Sequence, residues 1–188
     1  MLKNITTRTL VFLGALAAVS AVTQLIHLGY QSPQWGMWID VVAVSWIIAF
    51  FLFGFRASFI VSLLGALVIT LFAPDTWLGA SMKWLATIPV IFSLYLYPKI
   101  DGKKSAGYKT FTFLFIPLIL GIIIRCLIII PVNYYYAIPI WTKMSPSQAM
   151  AAIPWYIIAG FNALQSLIDV FLAWLAVYRF KLSRYSKI

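Results

Sequence analysis

Glutamate is absent from the 188-residue chain, and aspartate occurs only as Asp40, Asp75, Asp101 and Asp169. Charged residues make up 10% of the sequence, against about 25% in soluble domains. A soluble fold with so few polar side chains would leave its apolar surface uncovered. Cysteine is nearly missing too. Cys126 stands alone within the apolar run Ile122–Ile130, which excludes a disulfide framework and a cysteine metal cluster. One histidine, His27, with four scattered aspartates for company, makes no metal site. There is also no phosphate-binding loop. Gly102-Lys103-Lys104-Ser105 lacks the upstream glycine that such a loop needs, position 97 being Tyr.

What is present points to a bilayer. Hydrophobic residues reach 63%, aromatics 17% and the mean hydropathy +0.97. A net charge of +10 would suit nucleic acid if a soluble basic surface existed to carry it. No such fold is available, so nucleic acid is not an expected partner. The expectation is a single all-α integral membrane domain over 1–188. A spanning helix needs about 20 mainly apolar residues, and six segments qualify: about 9–28, 39–54, 57–73, 78–97, 111–131 and 153–179. The second and third are short, suiting either a buried hairpin or two little-tilted spans. Gln31-Ser32-Pro33, Ala73-Pro74-Asp75 and Asp101-Gly102 supply turn chemistry between spans. A cleavable signal over the first segment is weighed against its apolar length of about 17 residues, longer than the usual 7–15. Retention as a span is expected.

Charge placement orients the helices. With the N-terminus inside, the inner segments hold Lys3, Arg8, Arg56, Lys99, Lys103, Lys104, Lys109, Arg179, Lys181, Arg184 and Lys187. Lys143 alone falls outside, and Lys83 and Arg125 fall within spans. Short loops with this bias place both termini inside a multi-pass plasma-membrane protein.

Polar groups at membrane depth are expensive and default to functional candidates. At 1.5 Å of rise per residue, Lys83 lies roughly 7–8 Å, and Arg125 about 9 Å, below the outer boundary. Asp40 opens the second span at that edge. Asn162, Gln165 and Asp169 share one face of the sixth span, with Ser166 bordering it. These groups converge on the outer half of the bundle, as a pocket open to the outside would require. Mutual satisfaction is the competing account: Lys83 paired with Asp40, and Asn162 with Gln165 joining helices. Aromatics crowd the same side. Most suit an interfacial belt, while Trp38 and Tyr134 are the better candidates for stacking on a planar ligand. In the first span Gly14, Ala17, Ala18 and Ala21 place small residues four apart, suited to close helix packing within the chain or to docking a separate subunit.

In order and spacing, several segments resemble the S components of energy-coupling factor (ECF) transporters, most closely the riboflavin-specific members. These are the small-residue first helix, Trp38-Ile39-Asp40 leading to Ala49-Phe50-Phe51-Leu52-Phe53-Gly54, Gly79-Ala80-Ser81-Met82-Lys83-Trp84-Leu85-Ala86-Thr87, Asn133-Tyr134-Tyr135-Tyr136-Ala137-Ile138-Pro139 and Gly160-Phe161-Asn162. The resemblance spans nearly the whole chain. It implies a six-helix subunit that captures a vitamin from outside. A transmembrane coupling protein and two cytoplasmic ATPases would drive release inside. It also implies that Ala17 and Ala21 dock on the coupling protein and that Asn133, Asn162 and Gln165 contact the ring. The family usually has Lys where this chain has Gln165, which keeps a donor and an acceptor but loses the charge. Riboflavin or a related planar micronutrient would then be cargo, and no cofactor is expected.

Two other classes are weighed. A membrane enzyme would need a nucleophile–base or metal constellation, and only His27 with Asp40 offers a pair. A self-contained carrier coupled to protons could use Asp169, although no internal repeat of the kind common in such carriers is visible.

Overall fold

A computed structural model of the chain describes residues 6–26, 29–32, 37–72, 77–101 and 105–186. His27, Pro33, Trp35, Asp75 and Gly102 lie outside the described residues, so the His27–Asp40 pair and parts of the expected turns do too.

The central helix follows from its composition. Helix α2 (Val42–Phe53) has no charged residue, and Val42, Ala43, Trp46, Ile47, Ala49 and Phe50 are all buried. A helix apolar all round finds its place inside a bundle. Around it stand α1 (Thr7–Leu25), α3 (Phe55–Phe72), α4 (Trp77–Ile100), α5 (Phe115–Val132) and α8 (Trp155–Trp174). Helix α1 packs on α2 and α3, α3 on α4, α4 on α5, α5 on α8, and α8 returns to α2, closing a ring. The outward faces carry Leu10, Val11, Leu63, Leu67, Ile119, Ile123, Leu127 and Phe171, all exposed. Such faces suit lipid and not water. Among the described residues four helical stretches are long and apolar enough to cross a membrane: Thr7–Leu25, Trp77–Ile100, Phe111–Thr142 and Trp155–Arg179. Val42–Phe53 and Phe55–Leu71 are apolar but shorter.

Several boundaries depart from expectation. The first helix stops at Leu25, and a small antiparallel hairpin follows: β1 (Gly29–Gln31) pairs with β2 (Trp38–Asp40), Tyr30 opposite Ile39. The second span therefore begins at Val42 and not at 39, because residues 38–40 are held as a strand. The fifth does not end at Pro131. Its helical path continues through a π-turn (Asn133–Ala137) into α6 (Ile138–Thr142), and the short helix α7 (Pro146–Ala152) follows. Pro139 has no N–H to offer Tyr135 four residues back. Ile138 donates instead to Asn133 five residues back, the widened turn such a gap favours.

Two glycines set close geometry. Gly54 joins α2 to α3 with φ +89° and ψ −177°, a region that side chains rarely tolerate. At Gly121 a Cβ would come within 2.9 Å of the Val90 backbone, so α5 lies on α4 only because position 121 has no side chain.

The end that carries α4's last turn is knitted by rings. Tyr108, in a 3-10 turn (Ser105–Lys109), lies 6.3 Å from Phe50, 5.7 Å from Phe51 and 5.2 Å from Phe113 between centroids. Its hydroxyl donates to the Leu94 carbonyl, the group that Pro98, lacking an N–H, leaves without its helical donor. Trp174 Nε1 donates to the Tyr108 carbonyl at 2.8 Å.

Candidate functional site

At the opposite end, α1's last turn, the β-hairpin, α4's first turns, the α5–α6 junction and α8's first half enclose a cavity of about 450 Å³. Its wall mixes aromatic and apolar side chains (Trp38, Trp141, Phe161, Met37, Met82, Ile158) with Gln24, Gln31, Lys83, Arg125, Asn133, Asn162 and Gln165. Pockets for small organic ligands are typically roughly 300–1,000 Å³ and mostly apolar, with a few placed polar groups. This cavity meets both conditions. It opens at the end away from Arg8, Arg56, Lys99 and Arg179, among exposed Trp77, Tyr135, Trp141, Trp155 and Tyr156.

Much of its polar wall is tied together by bonds among α4, α5, α8 and β2. Gln165 of α8 reads the edge of β2 as another strand would: Asp40 N–H donates to its Oε1 at 3.0 Å, and its Nε2 donates to the Asp40 carbonyl at 2.8 Å. The same Nε2 donates to Asp169 Oδ1 at 2.8 Å. One Asp40 carboxylate oxygen accepts the N–H of Val42, the first residue of α2, at 2.9 Å, and the other is paired with Lys83 Nζ from α4. From α5, Arg125 donates through Nε to Asn162 Oδ1 at 2.8 Å and through Nη1 to Ser166 Oγ at 3.1 Å. Asn162 and Asn133 each donate an amide N–H to the carbonyl four residues earlier, at 2.9 Å. The Asn162 amide oxygen takes Arg125, while that of Asn133 has no hydrogen-bond partner among the described residues. Both amides are thereby fixed in orientation at the wall.

Of the binding residues expected from the sequence, Trp38, Lys83, Asn133, Asn162 and Gln165 line this cavity. Asp40 and Tyr134 are not part of its lining. Asp40 is buried behind the wall as the anchor of Lys83 and of α2. Tyr134 is buried in a small apolar cluster with Ala86, Ile129 and Ile158, its hydroxyl donating to the Ile153 carbonyl at 2.6 Å. Tyr134, expected as a stacking candidate, thus packs beside Ala86, Ile129 and Ile158, which themselves line the cavity. Arg125 is the wall residue that sequence reasoning left without a role. Its signal was a lone guanidinium in an apolar run, but its partners on α8 stand 37 and 41 positions away.

The small-residue stripe of α1 is also divided. Ala17 and Ala21, which the resemblance implies dock on a coupling protein, are only 6% and 4% exposed here and belong to the main core, packed against this chain's own helices. Gly14, Ala15 and Ala18 face outward. Among the described residues no cluster of His, Cys, Asp or Glu could hold a metal ion.

Helices of membrane type in a closed ring, with a mixed polar and aromatic cavity at one end, fit an all-α membrane fold. That fold has a solved counterpart. The chain is similar to the S component of a bacterial ECF transporter, with a TM-score of 0.72, 95% of this chain and 97% of that chain covered, and 22% sequence identity. At that identity the likeness is one of fold. No family model and no curated protein sequence matches the chain.

Proposed function

We propose that this chain is the membrane-embedded substrate-binding subunit of an ECF-type vitamin uptake transporter in the plasma membrane. It spans the bilayer six times with both termini inside, and it is not an enzyme. It captures riboflavin or a related planar micronutrient from outside. A transmembrane coupling protein and two cytoplasmic ATPases then drive delivery. The observation that carries the reading is the cavity, whose fixed amides and flat rings lie at the end opposite Arg8, Arg56, Lys99 and Arg179. The positive-inside bias puts that end outside. The sequence has no P-loop of its own, which fits a motor supplied by partners.

Titration of the purified chain with riboflavin is expected to quench the flavin's fluorescence at sub-micromolar concentration. Asn162→Ala should weaken that binding about tenfold or more, since it removes a wall amide and frees Arg125, while the folded yield is kept. Failure of riboflavin, its phosphate and related vitamins to bind would sink the reading. For the partners, the outward residue Ala18 is the place to probe. Ala18→Trp should leave riboflavin affinity unchanged yet abolish uptake and association with the coupling protein. Uptake that survives would move the docking face elsewhere.

A self-contained proton-coupled carrier is the alternative. It is favoured by Asp169, 1% exposed, with its second carboxylate oxygen lacking a hydrogen-bond partner among the described residues. Uptake by this chain alone in proteoliposomes, driven by a pH gradient without ATPases, would select it.

A further inference from the structure

Two cations and two carboxylates meet at the cavity, and they are not mixed at random. Lys83 and Arg125 line it, whereas Asp40 and Asp169 do not. Asp40 is held back by the Val42 N–H, by Gln165 at its backbone and by Lys83. Asp169 is held by Gln165. Both acids therefore stand on the protein side and both bases on the cavity side. In surroundings of low dielectric this arrangement gives the cavity a positive wall although the four charges cancel.

The two bases differ in what remains to them. The ammonium of Lys83 is paired directly with a carboxylate. Arg125 is 5% exposed and, among the described residues, donates only to neutral oxygens, those of Asn162 and Ser166. Those bonds use two of the five N–H donors of a guanidinium, whose planar fork is rigid once two of its nitrogens are fixed. Elsewhere in the lining Trp38 and Phe161 supply flat faces.

We infer that the cavity selects a planar ligand whose edge carries hydrogen-bond acceptors and which bears no positive charge, and that Arg125 is the specificity-determining residue that meets this edge. The inference rests on the binding-subunit reading and narrows its substrate class to neutral or anionic rings. A ring cation would face two like charges with both carboxylates out of reach, a built-in rejection.

Three tricyclic probes of similar size separate charge from shape: riboflavin and lumichrome, which are neutral with carbonyl edges, and proflavine, which is cationic with amino edges. With the full-length chain in lipid nanodiscs at neutral pH, riboflavin and lumichrome are expected to bind at least about a hundredfold more tightly than proflavine. Arg125→Gln should narrow that ratio by about tenfold or more, as loss of a charge-assisted bond does, with Arg125→Lys retaining more of it. The ratio is read within one preparation, so partial loss of folded protein does not move it. Should Arg125→Gln fail to fold, the wild-type ratio decides the ligand class, and Ser166→Ala, which strips the Nη1 partner, should lower the ratio in its place. Proflavine binding as tightly as riboflavin overturns the inference and leaves the binding-subunit reading standing. An unchanged ratio in Arg125→Gln, or in Ser166→Ala where that variant replaces it, removes Arg125 from the role. If none of the three binds, the binding-subunit reading falls and the inference falls with it.

Discussion

The two ends of the bundle are held together by different chemistry. At the cavity end, helices and strand are joined by directional bonds between distant residues, Gln165 to Asp40, Arg125 to Asn162, Lys83 to Asp40. At the other end the joints are rings: Phe51 lies 5.4 Å from Tyr178, and Phe111 lies 5.0 Å from Trp174. Hydrogen bonds fix orientation and keep a space open, because each partner must stay at its distance. Rings fill space and exclude it. A cavity with defined walls therefore requires the first chemistry where it sits and benefits from the second where it does not. The contrast can be broken by mutation, since damage at the ring end should cost stability and damage at the polar end should cost binding.

The largest effect is expected from Tyr108→Ala. Truncating a large buried ring costs about 3–5 kcal/mol. Tyr108 also joins α2, α4 and the segment before α5, so its loss should lower the melting temperature in detergent severely. Riboflavin affinity per folded molecule should stay within about threefold, because distant independent sites act additively. A large affinity change in the surviving folded fraction would show that the two ends are coupled.

Gln165→Leu comes next. It leaves the Asp40 N–H and carbonyl and one Asp169 oxygen without their bonds. A buried polar group so stranded costs about 1–3 kcal/mol. Because Asp40 anchors Lys83, affinity should fall along with stability. Stability lost with affinity intact would make Gln165 a strut and not part of the site.

Much of the helical scaffold was legible in the sequence, for a definite reason. Apolar length alone marks a span, and the stretches around Thr7–Leu25, Trp77–Ile100, Phe115–Val132 and Trp155–Trp174 declare themselves by it. What hid were the features that depend on partners. Trp38-Ile39-Asp40 reads as the apolar start of a helix, yet it is a strand because Gly29–Gln31 pairs with one edge and Gln165 with the other. Tyr134 and Asn133 are adjacent in sequence, yet the π-turn sends one into packing and the other to the cavity wall. The i, i+3, i+7 face of Asn162, Gln165 and Asp169 was visible as helical spacing. Which member would touch the cavity was not, since Asp169 is drawn away by Gln165 itself.

The smallest effect tests the joint at Pro98. Tyr108→Phe keeps every ring contact and removes one hydroxyl. Burial pushes the pKa of that hydroxyl up, so it remains a protonated donor throughout the physiological range. Without it the Leu94 carbonyl, already deprived of a helical donor by Pro98, has no replacement from the ring. An unmet buried acceptor costs about 1–3 kcal/mol, and a carbonyl at a proline gap can relax toward a neighbouring N–H, so the low end of that range is expected. A second substitution separates the causes. Pro98→Ala restores an N–H at position 98 and should recover most of the stability that Tyr108→Phe loses, read as the interaction energy of a double-mutant cycle. If the two losses simply add, the hydroxyl is not there to serve the carbonyl, and Tyr108 holds the ring end through packing and its carbonyl's bond to Trp174.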